Sequence, residues 1–146
     1  MKLTQSIIGG IAGSVALNLL HETVKRFDHE APRVDLVGEE GLNKVLSKSG
    51  TQPLSGDALY AATLAGDVLS NSLYYSMIGI GKKKHLLTRG IFYGLAAGVG
   101  ALTLTKPMGL SDAPVTRTEK TKVITVGYYL LGGIVAALTI KAMRGK

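Results

Sequence analysis

Apolar residues gather in four long runs, at 3–20, 58–80, 86–105 and 123–140. Each is about 18 to 23 residues, close to the roughly 20 that carry a helix across a bilayer's hydrocarbon core. Residues 90–105 and 123–140 contain no Asp, Glu, Lys or Arg, whereas a surface helix of a soluble bundle keeps a charged face. The pattern predicts an all-α, integral membrane four-helix bundle forming one domain over 1–146. Its helices should run over about 3–24, 58–80, 86–105 and 118–142.

The stretch 25–57 between the first two runs is long and predicts an interface loop. Within it, Leu36, Val37, Leu42, Val45 and Leu46 recur against Glu39, Glu40, Lys44 and Lys48 at near-helical spacing. That spacing suits a short amphipathic helix at the interface or over the bundle's mouth, against which Gly38 and Gly41 count. Thr116-Arg-Thr-Glu119 matches a capping box ahead of the last run. Ser55 and Asp57 are N-cap candidates for the second, and Lys106-Pro107 closes the third. The first run, with Lys2 and Ala12-Gly-Ser14, also suits a cleaved leader; the expectation is a retained helix.

Composition points the same way. Hydrophobic residues make up 46%, charged residues 18%, and 19 residues are glycine, against averages of roughly 25% charged and about 7% glycine. Glycine is more frequent in membrane helices than in soluble ones. The absence of cysteine excludes disulfides, thiolate metal sites and cysteine nucleophiles. The net charge of +7 is not one nucleic-acid-binding field, and nucleic acid is not an expected partner. Lys82, Lys83, Lys84 and Arg89, then Lys141, Arg144 and Lys146, border apolar runs, which suits anionic lipid head groups.

With four spans, both termini and the middle connection share one side. That side carries eight basic residues and the opposite side nine. The Lys82–Lys84 run and the tail are undiluted by acids, so the charge rule favours both termini in the cytoplasm. The expected location is a bacterial inner membrane.

Small residues recur at the four-residue spacing that lets membrane helices approach closely. The rows are Gly9 and Gly13; Ala58, Ala62, Gly66 and Ser70; Gly90, Gly94 and Gly98; and Gly133 and Ala137. Packing within one bundle is the first reading, and a sliding or self-association surface the second. Residues 7–17 also align loosely on 91–101, and both are followed by Ala-Pro, at Ala31-Pro32 and Ala113-Pro114. That would suit a repeated two-helix unit.

Chemistry concentrates in one place. Asp67 lies in the middle of the second run, where an acid is costly unless paired, neutralised or at work. Asn71 and Tyr74 follow it, and Thr63 lies one turn before. On the first run Ser14, Asn18, Glu22 and Arg26 share one helix face, with His21 beside them. Glu22 and Arg26 are spaced for an ion pair. Asp67 is either a structural anchor bonded to Asn18, Ser14, a tyrosine, Arg26 or Arg33, or a proton- or cation-coupled site, or an enzymatic acid working with His21 or Glu22. The anchor leads. His21, His29 and His85 lack tight ligand spacing, so no metal and no cofactor are expected, and nucleotide and hydrolase motifs are absent.

The stretches Gly10-Ile-Ala-Gly13, His21-Glu22, Ala31-Pro-Arg-Val-Asp35, Leu64-Ala-Gly-Asp-Val-Leu-Ser-Asn-Ser-Leu-Tyr-Tyr75 and Arg89-Gly90 resemble a group of uncharacterised small bacterial four-helix membrane proteins. The resemblance covers most of the chain and implies no activity. The chain is unlike small multidrug transporters, whose essential glutamate lies inside the first helix; Glu22 lies at its end. The expected function is a small membrane subunit with a structural or binding role, partnered by the lipid bilayer and by further copies or a larger complex. A small ion-coupled transporter using Asp67 ranks second, and an intramembrane lipid-modifying enzyme third.

Overall fold

A computed structural model describes residues 2–145. The described residues are all-helical, with six α-helices: α1 (Lys2–Val24), α2 (Val34–Lys48), α3 (Gly56–Ser76), α4 (Leu86–Thr103), α5 (Ala113–Thr116) and α6 (Glu119–Met143). Two single 3-10 turns, Met77–Gly79 and Lys83–His85, join α3 to α4.

By length and composition three helical stretches could cross a membrane: Lys2–Val24, Lys83–Thr103 and Glu119–Met143. The second predicted span, α3, is not among them. Its 21 residues include Asp57, Thr63, Asp67, Ser70, Asn71 and Ser72, which dilute its apolar character.

Capping also differs from the sequence pattern. Thr118, not Thr116, caps α6 by accepting from the Thr121 N–H at 3.0 Å. Thr116 instead closes α5, its hydroxyl donating to Asp112 O at 2.9 Å. Ser55 sits extended before α3 but makes no side-chain cap bond.

Helix contacts are built from small residues. A Cβ on Gly94 would stand 2.7 Å from Leu130 Cα, and one on Gly98 would stand 2.8 Å from Val126 Cα. Backbones of α4 and α6 therefore meet almost directly. On the other side of α6, Gly13 of α1 meets the Gly132 carbonyl and the Ala136 methyl. The opposite edge of α1 meets α3, where Gly10 faces Ser72 O and Ser76 N.

At the centre Tyr75 is fully buried, and its hydroxyl donates to Tyr129 O at 2.7 Å. Next to it Tyr74 donates to Tyr93 O at 2.8 Å, bridging α3 to α4. An Arg33 N–H bond to Pro114 O at 2.9 Å joins the two Ala-Pro stretches. Helix α1 packs closely on α6, while α4 meets α3 chiefly through tyrosines.

Large apolar side chains face outward, while the interior joins an apolar core of Leu17, Tyr75, Ile78, Leu86 and Ile140 to buried small and polar residues. Leu19, Leu69, Phe92 and Val123 are more than 60% exposed, whereas Ser14, Thr121 and Thr125 are fully buried. Some buried polar side chains return bonds to the preceding turn of their own helix, as Asn18 Nδ2 to Ser14 O and Thr125 Oγ1 to Thr121 O.

The two ends differ in charge. One end gathers Lys2, the 82–84 lysines, Arg89, Lys141 and Arg144 with no acid. There Arg144 Nη2 donates to Gly79 O at 2.8 Å and Arg89 Nε to Ile78 O at 2.7 Å, fixing the 3-10 connection. The other end carries α2, α5 and every acid except Asp67, which lies partway along α3.

Candidate binding cavity

Where α1, α2 and α3 diverge towards the acidic end, they enclose a cavity of about 240 Å³. It arises because α3 leaves α1 above the Gly10 contact and α2 folds back across the gap. Gly38 permits that approach; a Cβ there would stand 2.7 Å from Thr63 Cγ2. The walls are largely apolar, from Leu17, Val34, Leu42 and Leu64. Asn18, His21, Glu22, Asp35, Tyr60, Thr63 and Asp67 supply the polar atoms.

The upper rim is a paired network. Lys25 Nζ donates to Glu22 Oε1 at 2.7 Å and lies 3.5 Å from Asp35 Oδ2. It also stands 5.1 Å above the Tyr60 ring. Arg33 Nε and Nη2 donate to Asp35 at 2.9 and 2.7 Å. Burial pushes the Asp35 carboxyl up, but His21, Arg33 and Lys25 outweigh it and hold the group well below the ordinary carboxylate range. Burial likewise pulls the Lys25 ammonium down, and the Glu22 and Asp35 carboxylates reverse this and leave it raised.

His21 is only 4% exposed. Its Nδ1 lies 3.7 Å from Glu22 Oε1 and its Nε2 lies 3.4 Å from Asp35 Oδ1, while the ring meets Tyr128 edge-on. Nε2 makes no hydrogen bond, and neither does the buried Thr63 hydroxyl. His21 on α1 and Thr63 on α3 both belong to the cavity lining.

Deeper in, Asp67 receives a 3.0 Å hydrogen bond from Asn71 Nδ2. Among the described residues no basic side chain comes within 4.0 Å of its carboxylate, in contrast to Glu22 and Asp35. Ser14 Oγ donates to Val68 O at 3.0 Å, tying α1 to α3 beside the acid.

Of the residues singled out from sequence, Asn18, His21, Glu22 and Asp67 line this cavity. Ser14 and Asn71 adjoin it through the bonds just given. Arg26 is exposed and Tyr74 turns to α4. Glu22 pairs with Lys25 rather than Arg26, because at that turn the three-residue step points inwards. Arg33 serves Asp35, not Asp67.

Gly9, Gly13, Gly94 and Gly98 are filled by neighbouring helices, whereas Gly66 has no atom near and, with Ala62, borders the cavity. Asp35 and Tyr60 on the cavity lining, and Lys25 bonded to Glu22 at its rim, are residues that helical spacing misses. Among the described residues no group of three or more His, Cys, Asp or Glu is placed to hold a metal. No family model, no curated protein and no solved structure matches the chain.

Proposed function

We propose that this chain is an integral protein of a bacterial cytoplasmic membrane that works as a small binding subunit through the α1–α2–α3 cavity. The outward Leu, Ile, Val and Phe side chains and the glycine-lined helix seams support membrane embedding. In this reading α3 is the fourth span, with its polar face turned to α1 and α2. The acid-free basic end lies inside with both termini.

The observation that carries the binding role is that the cavity is blind. Beyond Asp67, towards the basic end, Gly10 packs on the Ser72 backbone and Tyr75 fills the centre without exposure. A conduit would need a path past that plug, so coupled transport through Asp67 ranks second. An enzyme acting on lipid ranks third, because about 240 Å³ admits no whole lipid. Self-association would use the α3 row, since the rows of α1, α4 and α6 are filled within one chain.

Two measurements test this. Single cysteines are clean labels in a chain without cysteine. Ser49→Cys should react with an impermeant reagent only from the outer face and Lys84→Cys only from the cytoplasmic face; reaction of both from one face contradicts the spans. In proteoliposomes under a pH gradient, proton flux should equal that of empty liposomes. Flux abolished by Asp67→Asn would replace binding with transport.

A further inference from the structure

We propose that the cavity takes a small organic cation with an apolar body, its ammonium on Asp67. This rests on the binding reading and names the ligand class. The charge inventory carries the first part. Glu22 and Asp35 are matched by Lys25 and Arg33 at 2.7 Å each, while Asp67 has only an amide donor. An ionised Asp67 therefore leaves one uncompensated negative charge in a largely apolar space, where a cation is the complementary occupant.

The walls carry the second part. The apolar walls of Leu17, Val34, Leu42 and Leu64 set the body of that ligand, the usual division of labour in small-molecule sites.

The ammonium has two sources, a free amine or the ethanolamine head group of a lipid reaching in beside the exposed Gly66 and Ser70. The test uses the full-length protein at neutral pH and reads its melting midpoint. Phenethylamine should raise the midpoint by several degrees at saturation; its neutral isostere 2-phenylethanol and the anion phenylacetate should not. In nanodiscs, a rise with phosphatidylethanolamine over phosphatidylglycerol alone, without a free-amine response, assigns the ammonium to lipid.

Asp67→Asn should abolish the shift. Gly66→Leu builds a side chain into open space at the cavity's edge while keeping the carboxylate and should abolish it too, which covers the case of an unstable Asp67 variant. Equal shifts from amine and alcohol, both lost in Gly66→Leu, would overturn the cation and leave the pocket. No response to any probe or lipid would overturn both.

Discussion

His21 on α1 and Asp35 on α2 stand 3.4 Å apart, both nearly sealed from solvent. Asp35 is the joint that holds α2 over the cavity, since it also binds Arg33 and faces Lys25. None of the α2 residues is fully buried; this joint ties down its start, and Lys44 donating to Met108 O and Gly109 O with Glu40 accepting from Ser111 N–H ties down the rest.

Replacing Asp35 with alanine should release α2. The loss of charge-assisted bonds should cost about 1–3 kcal/mol, discounted towards the low end because Arg33 is 40% exposed. Hydrogen exchange should speed up across 34–48 and little in α4 and α6. Unchanged exchange in α2 would show that other contacts hold it.

The same joint sets a pH dependence. The folded Asp35 carboxyl is held below its unfolded value of about 3.9. Its contribution is therefore complete above that value and fades as pH falls below it towards the folded one. Hydrogen exchange across 34–48, normalised to the intrinsic rate at each pH, should stay slow at pH 5 and speed up below about pH 4. Loosening already at pH 6 would contradict this assignment.

Gly94→Leu should drive α4 from α6. Its Cβ alone would stand 2.7 Å from the Leu130 backbone, and overpacking of this kind costs about 1–3 kcal/mol or more. Gly127→Ala is the control, because no atom lies within 4 Å of its added methyl. The melting midpoint should fall for the first and hold or rise for the second.

Tyr75→Phe keeps the plug but deletes the 2.7 Å bond to Tyr129 O. Stability should drop by about 0.5–1.5 kcal/mol, and the membrane should stay as tight to protons as with wild type. Proton leakage in Tyr75→Phe would mean that the hydroxyl, not the ring, seals the cavity floor.

How far these features can be seen in sequence depends on the range of the forces that set them. The all-helical architecture was legible, because apolar runs and helix stops are local; α1, α4 and α6 begin and end within a few residues of the pattern. The Asn18–Glu22 face and Asp67 could be read as well, since helical spacing fixes which side chains share a face. Asp35 could not. It reaches His21 only because the 25–33 turn is pinned by Arg117 donating to His29 O and Ala31 O and by Thr121 donating to Glu30 O. Those partners are about ninety residues away, beyond any local pattern. Choosing Arg26 over Lys25 reflects a helix rotation of about 100° per residue, which spacing alone leaves open.

The charge of the cavity can be measured directly. In Thr63→Cys, the sole thiol lies one helical turn from Asp67 on the α3 wall of the cavity. Small cationic and anionic methanethiosulfonates of similar size should label it at very different rates. The cation should react at least tenfold faster, and Asp67→Asn in the same background should erase the preference. Equal rates in both backgrounds, or faster labelling by the anion, would contradict a cation-selective cavity built around Asp67.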